Sequence, residues 1–146
     1  MPGIVVGIDG SAHSERSLEW AMKEAALRHA PLTVLAVHPV AVSAWTLSPI
    51  TYPADEADVE KARTAAQESV DKVASRIGGE RPAMTVRAVN GVPAEELIKA
   101  AEGADLLVVG SRGSGGFGQL RLGSVSSQVT HHATCPVVVV PPASSS

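Results

Sequence analysis

A chain of 146 residues fits one ordinary domain, expected over residues 1–141 with 142–146 as a disordered tail, and leaves no need for a second. A formal net charge of -3 and an aromatic content of 3% supply neither the basic face nor the stacking platforms of a general nucleic-acid binder. The single cysteine, Cys135, excludes an intrachain disulfide and a zinc cluster, and is consistent with a reducing, cytoplasmic setting.

In chain order, Ile4 to Ile8 is a β-branched run closed by the turn signal Asp9-Gly10, which predicts a buried strand. No basic segment precedes this run, so the start of a secretory signal is missing, and no apolar run in the chain approaches the roughly 20 residues of a membrane span. Ser14 is the expected cap of a first helix, on which Leu18, Ala21, Met22, Ala25 and Ala26 form one apolar face while Trp20 lies off it. Leu32 to Val37 reads as the second strand. Prolines and serines from Pro39 to Ala54 break every period and predict a long surface loop. Val59, Ala62, Ala66, Val70, Val73 and Ile77 then step along a long amphipathic helix that Gly78-Gly79 closes. Met84 to Val89 is the third strand, Pro93 to Ala101 a short helix with proline in its first turn, and Leu106 to Val109 the fourth strand. Ser124 to His132 is a short helical segment, and Val137 to Val140 a fifth strand between prolines.

Strands alternating with helices predict an open, five-stranded parallel sheet with helices on both faces, since right-handed crossovers lay helices over the sheet. Ligands of such α/β folds bind beyond the carboxyl ends of the strands, where the strand order reverses. Asp9, Val37 with His38, Asn90 with Gly91, and Gly110 stand at those ends.

From Gly110 to Ser124 the sequence GSRGSGGFGQLRLGS holds six glycines and no Asp, Glu, His or Lys. Glycine removes the Cβ that keeps a phosphate from backbone N–H groups, and a helix start adds further donors. The Walker pattern fails because no lysine lies between Gly118 and Gly123 and Ser124. Gly113, Gly115 and Gly118 satisfy GxGxxG, but late in the chain rather than at the first strand-to-helix turn, and no GxSxG is present. Arg112 and Arg121 are the loop's only charges and carry the sign a phosphate requires, with solvent as the alternative destination of both.

Gly110, two residues, Gly113, nine residues and Gly123-Ser124 form a spacing that resembles the ATP-binding signature of the universal stress protein family. The flanks extend the resemblance over nearly the whole chain: IVVGIDGS, SLEWAMKEA, GVPAEELIKAA, ADLLVVGSRG and HHATCPVVVVP, in that order. The resemblance implies a Rossmann-like domain with strand order 3-2-1-4-5 that binds ATP, with magnesium. It implies that Asp9 binds ribose hydroxyls or a bridging magnesium, and that Val37 lines the adenine slot beside polar backbone at Gly91. Gly110 and Gly113 would approach the ribose and α-phosphate, Arg112 is a candidate phosphate contact, and the N–H groups of Gly123, Ser124 and Val125 would hold the outer phosphates. No other metal site is expected. His131 and His132 are adjacent on a helix and cannot share a ligand, and Cys135 reads as a small packed residue.

A loop without a general base suggests a nucleotide-responsive binding module with little or no hydrolysis. The alternatives are a weak magnesium-dependent ATPase or phosphotransferase using Asp9, and a cyclic-AMP binder. For Asp9 a purely structural role, as the first residue of an Asp-Gly turn or a helix cap, stays open. The valine-rich fifth strand is expected at a sheet edge, where an apolar strand invites pairing, and the resemblance likewise implies a homodimer through Val137 to Val140. A downstream protein is the expected further partner, with neither nucleic acid nor membrane.

Overall fold

In the computed structural model, residues 3–39, 56–111 and 124–142 are described. Strands and helices alternate among them: β1 (Ile4–Ile8), α1 (Ala12–Arg28), β2 (Leu32–Pro39), α2 (Glu56–Ile77), β3 (Met84–Gly91), α3 (Pro93–Ala100), β4 (Leu106–Gly110), α4 (Ser124–His132) and β5 (Val137–Val140). The strands form one parallel sheet in the order β3-β2-β1-β4-β5. The expected loop lies mostly within 40–55, outside the described residues.

Alternation along the strands splits the core into two layers. Ile4, Val6 and Ile8 of β1, Leu32 and Val34 of β2, and Leu106 and Val108 of β4 pack with Leu18, Ala21, Met22 and Ala25 of α1 and with Ala66, Val70 and Val73 of α2. The odd-numbered partners Val5, Leu35, Leu107 and Val109 face the other way, onto Ala94 and Leu97 of α3 and Val129 of α4. Helices therefore cover both faces, as right-handed crossovers require.

α1 begins earlier than the apolar periodicity predicts. Its cap is Ser11, whose Oγ accepts from the Ser14 N–H at 3.2 Å, and buried Ser14 in turn donates its hydroxyl to the Ser11 carbonyl at 2.9 Å. Trp20 is half-buried against the α1/α2 layer rather than standing clear of it. His29 closes α1 in the left-handed region at φ 53°, its N–H bonded to the last carbonyls. α2 ends at Gly78 and Gly79, with φ of 69° and 79°, where side chains other than glycine are strained. Glu15 ties the two helices together, its carboxylate lying 3.4 Å from Lys72 Nζ and 3.8 Å from Arg76 Nη1.

β2 and β3 also run beyond their apolar stretches, because their ladder continues through His38–Asn90 and Pro39–Gly91. Backbone pairing does not depend on side-chain polarity, so the second and third strands both reach the carboxyl edge of the sheet. No helix among the described residues is long and apolar enough to cross a membrane.

Candidate functional site

The carboxyl edge of the sheet opens where the strand order reverses. β1 stays paired with β2 up to Ile8–Ala36, yet its ladder with β4 ends at Val6–Val108, although both strands continue to Ile8 and Gly110. The two central strands therefore part before they end. Crossovers leave in opposite directions from β1 and β4, and among the described residues no connection fills the gap between them.

Asp9 stands on the β1 lip of this gap. Its Oδ1 accepts from the Ser11 N–H at 2.9 Å, an Asx turn that hands the chain to α1. Gly10 between them has φ 83° with open space where a Cβ would stand, so its glycine is required by the backbone angle and not by crowding. The structure thus assigns Asp9 the turn role directly, and that role holds the exposed carboxylate at the crevice mouth.

Val37 ends the β2 contribution. It is half-buried, packs with the α3/α4 layer, and pairs with Val89 of β3, which lies on the same face. Gly91 closes β3, and the side chain of Glu96 lies over it: an ideal Cβ at 91 would stand 2.6 Å from Glu96 Cγ and 2.7 Å from its Oε1. Gly7 of β1 is overlaid in the same way by Leu97, whose Cδ2 would be 2.6 Å from a Cβ there. These two glycines let α3 settle close onto the sheet beside the crevice.

On the β4 lip, Gly110 pairs with Val140, and the Ser111 N–H donates to the Val140 carbonyl at 3.0 Å. Arg16 reaches the same corner from α1, its Nε donating to the Pro141 carbonyl at 2.9 Å. The end of β5 is therefore held by both β4 and α1.

α4 starts at Ser124, which is exposed, followed by half-buried Val125. Its first turn contains no acidic residue, and the helix dipole favours an anion at this end. Asp9, Val37, Gly91, Gly110, Ser124 and Val125 all have described positions. Arg112, Gly113 and Gly123 lie outside the described residues.

Other candidates resolve without a metal or redox role. The His131 and His132 rings are 6.4 Å apart and tilted by 47°, and His131 Nδ1 lies 2.8 Å from the Ser127 carbonyl. Among the described residues no group of three or more His, Cys, Asp or Glu could hold a metal ion. Cys135 is half-buried against the α3/α4 layer, and desolvation pushes its thiol above the usual range, which disfavours the reactive thiolate. A recess of about 260 Å³ near His29, Glu80 and Arg81 lies at the opposite, amino end of β2 and β3 and contains no candidate residue. Sequence reasoning missed Ser11, Arg16 and Glu96.

Comparison with known proteins adds an independent line. Residues 2–141 match the model of the universal stress protein family. A universal stress protein of Mycolicibacterium smegmatis is 39% identical over 140 residues, a stretch covering 94% of this chain and 47% of that protein. The chain thus spans about half the length of the curated relatives it matches. A solved universal stress protein described in complex with cAMP superposes with a TM-score of 0.67 at 27% identity, covering 96% of both chains. One from Archaeoglobus fulgidus, described in complex with dAMP, gives 0.63 at 23% identity over 96% of this chain and 98% of that one.

Proposed function

Since this chain belongs to the universal stress protein family, we propose that it is an ATP-binding, nucleotide-responsive stress-response module with little or no hydrolysis. The observation that carries this reading is the early parting of β1 from β4 at the strand-order reversal. The two sides of that gap differ in chemistry. On the β4 side lies the start of α4, which the glycine-rich segment precedes in the sequence; on the β2 and β3 side lie half-buried Val37 and Val89. A nucleotide has the same polarity, with anionic oxygens at one end and a flat, weakly polar base at the other.

In this reading Ser124 and Val125, with Gly123, hold the outer phosphates, Gly110 and Gly113 let the ribose and α-phosphate approach the backbone, and Arg112 adds a charge. Val37 and the Gly91 backbone meet the adenine. Asp9 meets the ribose hydroxyls or a magnesium ion that arrives with the triphosphate. Such an ion takes most of its six oxygens from phosphate and water and needs only one or two protein carboxylates, a role that the Asp9 carboxylate can fill. The ion would neutralise charge that Asp9 alone would repel.

Calorimetric titration of nucleotide-free protein with magnesium and ATP tests this proposal. Saturable binding that a Gly113→Val, Gly123→Val double variant loses is the expected result, and no binding to the wild type would refute it. A cyclic-AMP reading is favoured by the complex described for the 27% identical structure. Competition decides between the two, since cyclic AMP displacing ATP at equal concentration would transfer the assignment to it. A weak ATPase remains the enzymatic alternative, and it requires turnover that Asp9→Ala abolishes.

We further propose a homodimer through β5, acting in the cytoplasm and read by a downstream protein. β5 is an edge strand whose Val137, Val138 and Val139 are only half-buried, and an uncovered apolar edge favours pairing. Val138→Glu should raise the monomer fraction in analytical ultracentrifugation; an unchanged dimer would exclude this edge as the sole interface.

A further inference from the structure

One acidic side chain at the carboxyl edge is explained neither by the Asp9 turn nor by the glycine loop. Glu96 lies in the first turn of α3, its N–H bonded to the Val92 carbonyl at 3.0 Å, and its side chain folds back across the Gly91 backbone. The residue is half-buried. Among the described residues its carboxylate has no hydrogen-bond or ion-pair partner. An ionised carboxylate only accepts hydrogen bonds, so at this half-buried position it can take a donor that a ligand supplies.

The sheet itself says which part of a bound nucleotide would be near it. Neighbouring strands lie about 4.8 Å apart, so β3 and β4, separated by β2 and β1, stand about 14 Å from each other. At the β2 and β3 end the apolar surfaces of Val37 and Val89 offer a floor for a flat ring. A base lying there would present its edge toward α3.

We infer that Glu96 reads the exocyclic amino group of the purine, its carboxylate accepting an N–H from the base edge. This assignment rests on the nucleotide-binding reading above and adds a side-chain specificity element to it. It makes Gly91 part of the same device. Gly91 has no positive φ, so alanine suits its backbone, but the added Cβ would push Glu96 aside.

The test compares ATP with purine riboside 5′-triphosphate, which differs from it only in lacking the 6-amino group, by calorimetry on the full chain. The wild type should favour ATP by about tenfold or more, the scale of a hydrogen bond to a charged group. Glu96→Ala should weaken ATP and leave the analogue unchanged, bringing the ratio to within about twofold. Gly91→Ala should lower the ratio in the same direction with the carboxylate still present, and Glu96→Gln, which keeps an acceptor oxygen, should fall between. A wild-type ratio near one, a ratio unchanged in Glu96→Ala, or equal losses for both ligands would overturn the assignment. Wild-type protein that binds neither triphosphate would instead overturn the nucleotide reading, and this inference with it.

Discussion

The two faces of the sheet are built to different standards. On the α1/α2 side, long helices seal strand residues that are almost wholly buried, including Val6, Val34 and Val108, each 0% exposed. On the α3/α4 side two short helices cover the sheet, and among the described residues Val37, Val89, Val125, Val137 and Val139 remain half-buried at its carboxyl end and edge. The first face holds the fold together, whereas the second leaves apolar surface where a ligand and a partner strand would complete it. On the α1/α2 face the half-buried strand residues Met84, Val86, Ala88 and Val138 lie only on the edge strands β3 and β5, whereas on the other face Val37 of the inner strand β2 is half-buried too.

Truncating one leucine on each face should give the largest effects and sharpen the contrast. Leu18→Ala on the sealed side is expected to cost about 3–4 kcal/mol in urea unfolding, and Leu97→Ala nearer 2–3, because the thinner layer can relax into the space. Equal losses would show that both faces are packed alike. Gly7→Val should come next at about 1–3 kcal/mol, since its Cβ would meet Leu97 and lift α3 from β1. A loss of nucleotide affinity should accompany it, as the same movement disturbs the crevice.

Ser17→Ala should act in the opposite direction. The Ser17 hydroxyl is buried in α1 with no hydrogen-bond partner. Replacing it should leave stability unchanged or raise it by up to about 1 kcal/mol; a clear loss would mean that a water or partner satisfies it.

The smallest effect belongs to Cys135. Its thiol titrates above the ordinary value because burial disfavours the thiolate. Native protein should thus be alkylated by iodoacetamide with a higher pH inflection than protein unfolded in urea. Between the two values the native state binds more protons than the unfolded chain, so this group lowers stability as pH rises. Coincident inflections would place Cys135 in water.

Much of this contrast was legible in the residues. Short apolar runs placed the five described strands, and apolar periodicity placed the long helices α1 and α2, because patterning records which side of an element meets the core. Helix α1 was expected at Ser14 rather than Ser11 because periodicity starts with the first buried turn, while the cap is set by the Asp9 and Gly10 turn before it. The approach of Leu97 to Gly7 and of Glu96 to Gly91 was not legible at all, since each depends on how α3 lies on the sheet. For the site, Asp9, Val37 and Gly91 could be placed at strand ends, and the strand order reversal made their region the candidate. Which face Val37 uses required the register, and that Glu96 lies over Gly91 required the placement of α3 on the sheet.

The opening between β1 and β4 also bears on how the chain folds. Of the four ladders, this one joins residues farthest apart in sequence, Ile4 with Leu106, whereas the others link strands adjacent in chain order. Its closure carries the largest loop entropy, and contacts of that kind form late. β1, β2 and β3 can assemble from local segments, as can β4 with β5, and the crevice lies on the seam where the two parts join. A molecule bound across that seam would act as a clasp between the two parts of the sheet that local segments build.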